Sequence, residues 1–184
     1  SRSNIMRRIS LAVAALAAVA LTAGTSSAQS TKPVSIGISA GAAIPVGNLG
    51  DDYKTGYNGT ISLGLNSVGS PIGFRIDGMY NKLSVKSDRF VPLPDITITS
   101  ANANIVYALP GVGMRPYLIG GAGIYGYKPD VSGASTKTDF GLNGGIGASF
   151  PLSGFNTFVE ARYHHIFTDV SATQFIPVTF GISF

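Results

Sequence analysis

The chain closes on Gln174-Phe175-Ile176-Pro177-Val178-Thr179-Phe180-Gly181-Ile182-Ser183-Phe184, a run that alternates in size and polarity down to an aromatic last residue. Successive strand side chains point to opposite faces. Ile176, Val178, Phe180, Ile182 and Phe184 therefore share one face, and Phe175, Pro177, Thr179, Gly181 and Ser183 share the other. The first face is suited to lipid and the second, with mostly small residues, to a narrow interior.

The same pattern recurs upstream. Eight alternating runs fall at approximately 34–44, 57–67, 72–82, 96–109, 115–127, 137–150, 157–168 and 175–184, and no stretch keeps helical periodicity for three turns. Each run is about as long as the 9 to 11 residues a tilted strand needs to cross a bilayer, or slightly longer. Short links (Val68 to Pro71, Pro110 to Met114, Pro151 to Asn156) alternate with longer ones (Pro45 to Gly56, Leu83 to Asp95, Lys128 to Thr136, Asp169 to Thr173). Short and long connections on opposite rims belong to an all-β, eight-stranded antiparallel up-and-down transmembrane β-barrel.

Taking the more apolar alternate set of each run as outward gives Ile36, Ile38, Ala40 and Ile44; Tyr57, Ile61, Leu63 and Leu65; and Ile72, Phe74, Ile76 and Tyr80. Ala103, Ile105, Tyr107 and Leu109 follow in the fourth run, where Ile96 and Ile98 fall on the other parity. The fifth run gives Tyr117, Ile119, Tyr125 and Tyr127, the sixth Phe140, Leu142, Ile146 and Phe150, and the seventh Val159, Ala161, Tyr163 and Phe167. A water-soluble barrel with its apolar face inward would alternate in the same way. Two features favour the inside-out form. The polar face is mostly Gly, Ser, Asn and Thr, as a tight interior requires. The aromatics also band at strand ends: Tyr107, Tyr117, Phe150 and Phe184 beside the short turns, Tyr57, Tyr80, Tyr125, Tyr127 and Phe167 beside the long loops. Tyr and Phe serve this role alone, because the chain has no Trp.

At the other end, Arg7-Arg8, an apolar stretch from Ile9 to about Ala23 and Thr25-Ser26-Ser27-Ala28 follow the order of a cleavable secretory signal peptide. The expected organisation is residues 1–5 as upstream sequence, 6–28 as signal peptide and 29–184 as the barrel domain. Cleavage after Ala28 removes Arg2, Arg7 and Arg8 from 13 Lys and Arg and leaves the 9 Asp and Glu, so the mature chain is close to neutral. The basic full-length composition is then no argument for nucleic acid, and no Lys/Arg cluster revives one. Cysteine is absent, which excludes disulfides, thiol chemistry and Cys-based metal sites.

The mature chain resembles the small OmpA-like, or opacity-protein, type of outer-membrane β-barrel over residues 31–184. The residues that carry the resemblance are Val34-Ser35-Ile36-Gly37-Ile38-Ser39-Ala40-Gly41, the run Arg115-Pro116-Tyr117-Leu118-Ile119-Gly120-Gly121-Ala122-Gly123, and the terminal Phe184. The terminal strand matches the family's insertion signal in part, since Gly181 lies closer to the end than usual. The resemblance implies a bacterial outer-membrane location, insertion by the barrel assembly machinery, contact with outer-membrane lipid and lipopolysaccharide, and loops exposed at the cell surface. No wall-anchoring domain is expected after the barrel.

In eight strands, side chains fill the lumen. Arg75 and Asp77 on the third run and Glu160 and Arg162 on the seventh lie at similar depth, so a lumen ion-pair network is expected, because an unpaired buried charge costs several kcal/mol. Its expected role is to plug the barrel; the competing role is a gate. His164 and His165 are adjacent and point to opposite faces, which argues against a shared metal. Lipid A deacylase barrels place a Ser two residues after a catalytic His, whereas Ile166 and Phe167 stand at those positions here. Gly120-Gly121-Ala122-Gly123 precedes no helix and reads as close-packed strand glycine, not a phosphate loop. Asp51-Asp52 reads as a solvated loop pair. No catalytic residue, cofactor or metal site is expected. The expected role is structural, supporting membrane integrity, or adhesive through the loops Pro45 to Gly56 and Leu83 to Asp95, whose Lys86, Asp88, Arg89 and Phe90 would meet an extracellular ligand. The alternatives are a small low-conductance channel and, less favoured, a lipid A-modifying barrel enzyme.

Overall fold

A computed structural model describes residues 33–66, 69–86, 93–168 and 172–184. The signal-peptide assignment to 6–28, residues 1–5, and the loop residues Asp88, Arg89 and Phe90 lie outside the described residues. The elements are β1 (Val34–Val46), α1 (Gly47–Asp52), β2 (Gly56–Asn66), β3 (Ile72–Leu83), β4 (Ile96–Ala108), β5 (Arg115–Pro129), β6 (Lys137–Pro151), β7 (Asn156–Ile166) and β8 (Thr173–Ser183). Each strand pairs antiparallel with its sequence neighbours, and β1 also pairs with β8, closing the barrel.

The register fixes the tilt. Pairing followed once round the barrel from Ile36 runs through Leu63, Ile76, Ala103, Ala122, Leu142, His165 and Gln174 and returns to β1 at Val46, ten residues further on. With eight strands, such a stagger goes with a tilt of roughly 40°. The 11 residues of β7 then rise roughly 27 Å along the axis, which matches the apolar band of about 25 Å in such barrels. Each short turn contains a glycine in the left-handed region: Gly69 (φ 82°), Gly113 (φ 79°) and Gly154 (φ 95°).

Burial inverts the arrangement of a soluble protein. Ile61 (66% exposed), Phe74, Ile124 and Phe180 stand outward, whereas Asp77 (0%), Asn81, Asn102, Glu160, Arg162 and His164 are buried. The polar face is inside and the apolar face outside, which suits lipid and not water. No helix among the described residues is long and apolar enough to cross a membrane, which has no bearing on strands.

One strand departs from the sequence reading. In β5 the outward residues are Leu118 and Ile124, while Tyr117, Ile119 and Tyr125 are buried inside and Tyr127 packs against the inner cluster. Tyr117, Tyr125 and Tyr127 are therefore not interfacial aromatics. A tyrosine can fill a lumen with its ring and satisfy a buried polar group with its hydroxyl. Room is made on the neighbouring strand: Tyr117 pairs with Gly147, where a Cβ would run into the tyrosine ring, and a Cβ at Gly141 would lie 2.7 Å from Tyr125 Cε2.

Candidate functional site

The lumen is stacked in layers, and its lower layer is ionic. Arg75 and Asp77 on β3 face Glu160 and Arg162 on β7, across the barrel. Arg75 Nη2 donates to Glu160 Oε1 at 2.8 Å and Arg162 Nη1 to Asp77 Oδ2 at 2.7 Å. Arg162 Nε also lies 2.8 Å from Glu160 Oε1, and Arg75 Nε 3.0 Å from Asp77 Oδ1. Arg75 Nε and Nη2 both donate to Asp77 Oδ2 at 3.3 Å, while Asp77 Oδ1 has no partner in hydrogen-bond geometry. Two neighbours complete the layer: Tyr117 donates to Glu160 Oε2 at 2.7 Å, and Asn104 Nδ2 donates to Asp77 Oδ2 at 2.9 Å. Two guanidinium groups meet two carboxylates, so the layer is neutral.

Above it lies a layer of amides and one imidazole. Asn58 Nδ2 donates to Asn81 Oδ1 at 2.6 Å, and Asn81 Nδ2 to the carbonyl of Ile98 at 3.2 Å. Tyr125 OH and His164 Nδ1 are 2.8 Å apart, and the imidazole stacks on Phe175 with ring centroids separated by 4.9 Å. Other polar atoms here lack protein partners: Asn102 Oδ1, Asn104 Oδ1, both amide atoms of Asn143, and His164 Nε2. Asn104, Gly121, Asn143 and His164 occupy one paired row across β4 to β7.

The upper lumen is apolar. Ala43, Met79, Leu83, Ile96, Ile98, Tyr125, Ile166 and Phe175 form a buried cluster that also takes in Leu49 of α1 and Tyr53 just beyond it. Sequence reading placed Leu49 and Tyr53 in an open loop, because a helix of 6 residues is too short to show periodicity. The parity of Ile96 and Ile98, opposite to the lower half of their strand, was the one sequence signal of this layer.

Outside, Tyr57, Tyr80 and Phe167 stand exposed near the loop rim and Tyr107, Phe150 and Phe184 near the short-turn rim. Tyr57 stacks on Tyr80, and Phe167 on Phe140, each with ring centroids 6.2 Å apart. His165 lies on the outer face with Nδ1 3.2 Å from Gln174 Nε2. No group of three or more His, Cys, Asp or Glu that could hold a metal occurs among the described residues.

This combination of a lipid-suited exterior, a polar lumen and eight closed strands defines a transmembrane β-barrel of the outer-membrane kind. The chain belongs to the outer membrane protein beta-barrel domain family, whose model matches residues 11–184. Its structure is similar to that of Neisserial surface protein A, with 20% sequence identity and a TM-score of 0.69 over 83% of this chain and 96% of that one. It is also similar to a major outer membrane protein from Thermus thermophilus, at 12% identity and a TM-score of 0.54 over 83% and 99% of the two chains. No curated protein sequence matches the chain significantly. The family and the closed eight-stranded fold together make the protein a bacterial outer-membrane β-barrel.

Proposed function

We propose that this barrel serves a structural and interactive role in the outer membrane, with its lumen closed by its own side chains and its loops available for adhesion. The observation that carries the reading is the ionic layer: four charged side chains from opposite walls meet in two pairs, at 2.8 and 2.7 Å, across the lumen, with an apolar cluster stacked above them. An ion entering from either rim would have to separate charge pairs or dehydrate against Leu83, Ile96 and Phe175, and both are costly. A non-enzymatic role is supported by the setting of His164, whose Nδ1 is taken by Tyr125 and whose ring lies on Phe175, as in a packed core histidine. Export through the segment 6–28, insertion by the assembly machinery, and contact with lipopolysaccharide belong to the same proposal. Planar-bilayer recording of refolded protein tests it. Membranes that stay electrically silent while the protein shows heat-modifiable migration support the closed lumen; stable unitary conductance sinks it in favour of a small channel.

A further inference from the structure

The connection between β1 and β2 is more than a surface loop. Its helix α1 has no side-chain N-cap, no acidic residue in its first turn and no basic residue in its last. A single capless turn and a half is unstable by itself, so its conformation is held by what it touches. Below, Leu49 and Tyr53 are buried in the apolar cluster of the upper lumen. To one side, the second loop grips it. Lys86 Nζ donates to the carbonyl of Gly50 at 2.7 Å, Lys86 N to that of Asp52 at 2.9 Å, and Lys54 N to that of Ser84 at 2.8 Å. Tyr53 pairs with Val85 in an isolated bridge, and its hydroxyl donates to the carbonyl of Pro94 at 3.3 Å. Asp95 braces the gripping segment, accepting from Val85 N at 2.9 Å and from Ser84 Oγ at 3.0 Å.

Glycines stand at both ends. Gly47 adopts φ 57°, turning the chain sharply out of β1, and Gly56 leaves no room for a Cβ against the carbonyl of Lys82. The segment between them is therefore a short strap that leaves β1 at a sharp turn and rejoins the barrel wall at a close backbone approach. Its outward side is hydrophilic and its inward side is Leu49 and Tyr53, so lifting it would uncover Leu83, Ile96, Ile98 and Phe175, all fully buried.

We propose that Gly47–Thr55 is a lid over the outer mouth of the lumen, with Lys86 as its latch, and that releasing the latch opens the apolar upper lumen to the extracellular side without disturbing the ionic layer beneath. The lid deepens the closed-lumen reading and assumes its orientation, with the long loops outward. Burial also pushes the Tyr53 phenol well above its ordinary titration range, with Tyr127 adding to the effect, as expected of a hydroxyl held under a closed lid.

The chain has no cysteine, so a single one introduced as Ile98→Cys reports on the mouth. In refolded protein, a charged, water-soluble maleimide is expected to label it much more slowly than a Val131→Cys control on the exposed third long loop. Adding Lys86→Met is expected to speed labelling of the Ile98→Cys site about tenfold, the population change that follows loss of one charge-assisted hydrogen bond. Heat-modifiable migration confirms folding in each case, and Ile96→Cys is the second reporter if Ile98→Cys folds poorly. Equal labelling rates with and without Lys86→Met, or fast labelling before the latch is removed, overturn the lid. Conductance recorded on the same samples separates the two claims: current with slow labelling would reject the closed lumen and leave the lid, whereas fast labelling without current would do the reverse.

Discussion

Glu160→Gln tests the ionic layer directly, because it removes one charge and almost no volume. Glu160 accepts from Arg75 and Tyr117 at 2.8 and 2.7 Å and lies 2.8 Å from Arg162 Nε. An amide oxygen can keep one guanidinium contact, but its NH2 end must face either a second guanidinium or the donating tyrosine. Two arginines then share Asp77 alone, leaving a net positive charge in a site where Arg162 and Asp77 are almost wholly buried. Removing one partner of a buried pair typically costs about 3–5 kcal/mol, against a total stability on the order of 5–15 kcal/mol. The expected result is an unfolding free energy lowered by that amount in lipid vesicles, seen as a lower urea midpoint at unchanged slope and read by circular dichroism because the chain has no Trp. The double variant Arg75→Gln/Glu160→Gln restores neutrality and leaves Asp77 with Arg162 at 2.7 Å, so it should lose less than Glu160→Gln alone. A single variant within about 1 kcal/mol of wild type, or a double variant worse than the single, would refute the reasoning.

Three further outcomes follow from particular positions. Gly147→Ala should push the Tyr117 ring off Glu160 and cost about 1–3 kcal/mol through overpacking, visible as a lower unfolding midpoint and a changed near-ultraviolet tyrosine signal. Ile61→Arg, on an outward residue that is 66% exposed, should cost about 2–4 kcal/mol if it lies near the bilayer midplane; a harmless arginine in vesicles would contradict the lipid-facing assignment. Asn143→Leu removes an amide with neither atom in hydrogen-bond geometry to a protein group and only a loose contact with Tyr125, so stability should hold or rise by up to about 1 kcal/mol, and a loss would show that the amide is satisfied in the folded barrel.

Strand number and approximate limits were legible because a period of two, repeated eight times between turn signals, leaves little choice of architecture. In the alternation of Ile36 to Ala40 with Gly37 and Ser39, one face is lipid and the other lumen, which sets the facing of each residue, whereas the register came from the structure. Choosing the more apolar parity as outward fails in β5 because it counts tyrosine as apolar. Leu118 and Ile124 were the lipid-facing residues, and the signal lay one strand away: the inward positions of β6 include Gly141 and Gly147, voids that only large inward neighbours would fill. A reading that paired bulk with absence of bulk across strands would have turned Tyr117 and Tyr125 inward. The lid was hidden for another reason. Leu49 and Tyr53 are four residues apart in a segment of one helical turn, and it is tertiary burial, not local pattern, that makes the turn form.

The order of charges carries information that their count does not. On β3 the chain reads Arg75 then Asp77 from the short-turn rim, and on β7 it reads Glu160 then Arg162. The two strands run in the same direction from that rim on opposite walls, so the reversed order sets each charge level with one of opposite sign and, two residues higher, does so again. Had β7 repeated the order of β3, the same four residues would have placed cation against cation and anion against anion, with nowhere in a lumen of this width for long side chains to retreat. The arrangement also lets each guanidinium touch both carboxylates, as Arg162 does, so losing one contact leaves another in place. Asn104 and Tyr117 beside the layer then supply neutral donors, Asn104 to Asp77 Oδ2 and Tyr117 to Glu160 Oε2, adding to the bonds that the arginines make to the same carboxylates. A barrel of eight strands can hold four charges at its centre on those terms: neutrality within one layer, alternation along each strand, and hydrogen-bond donors on the walls between.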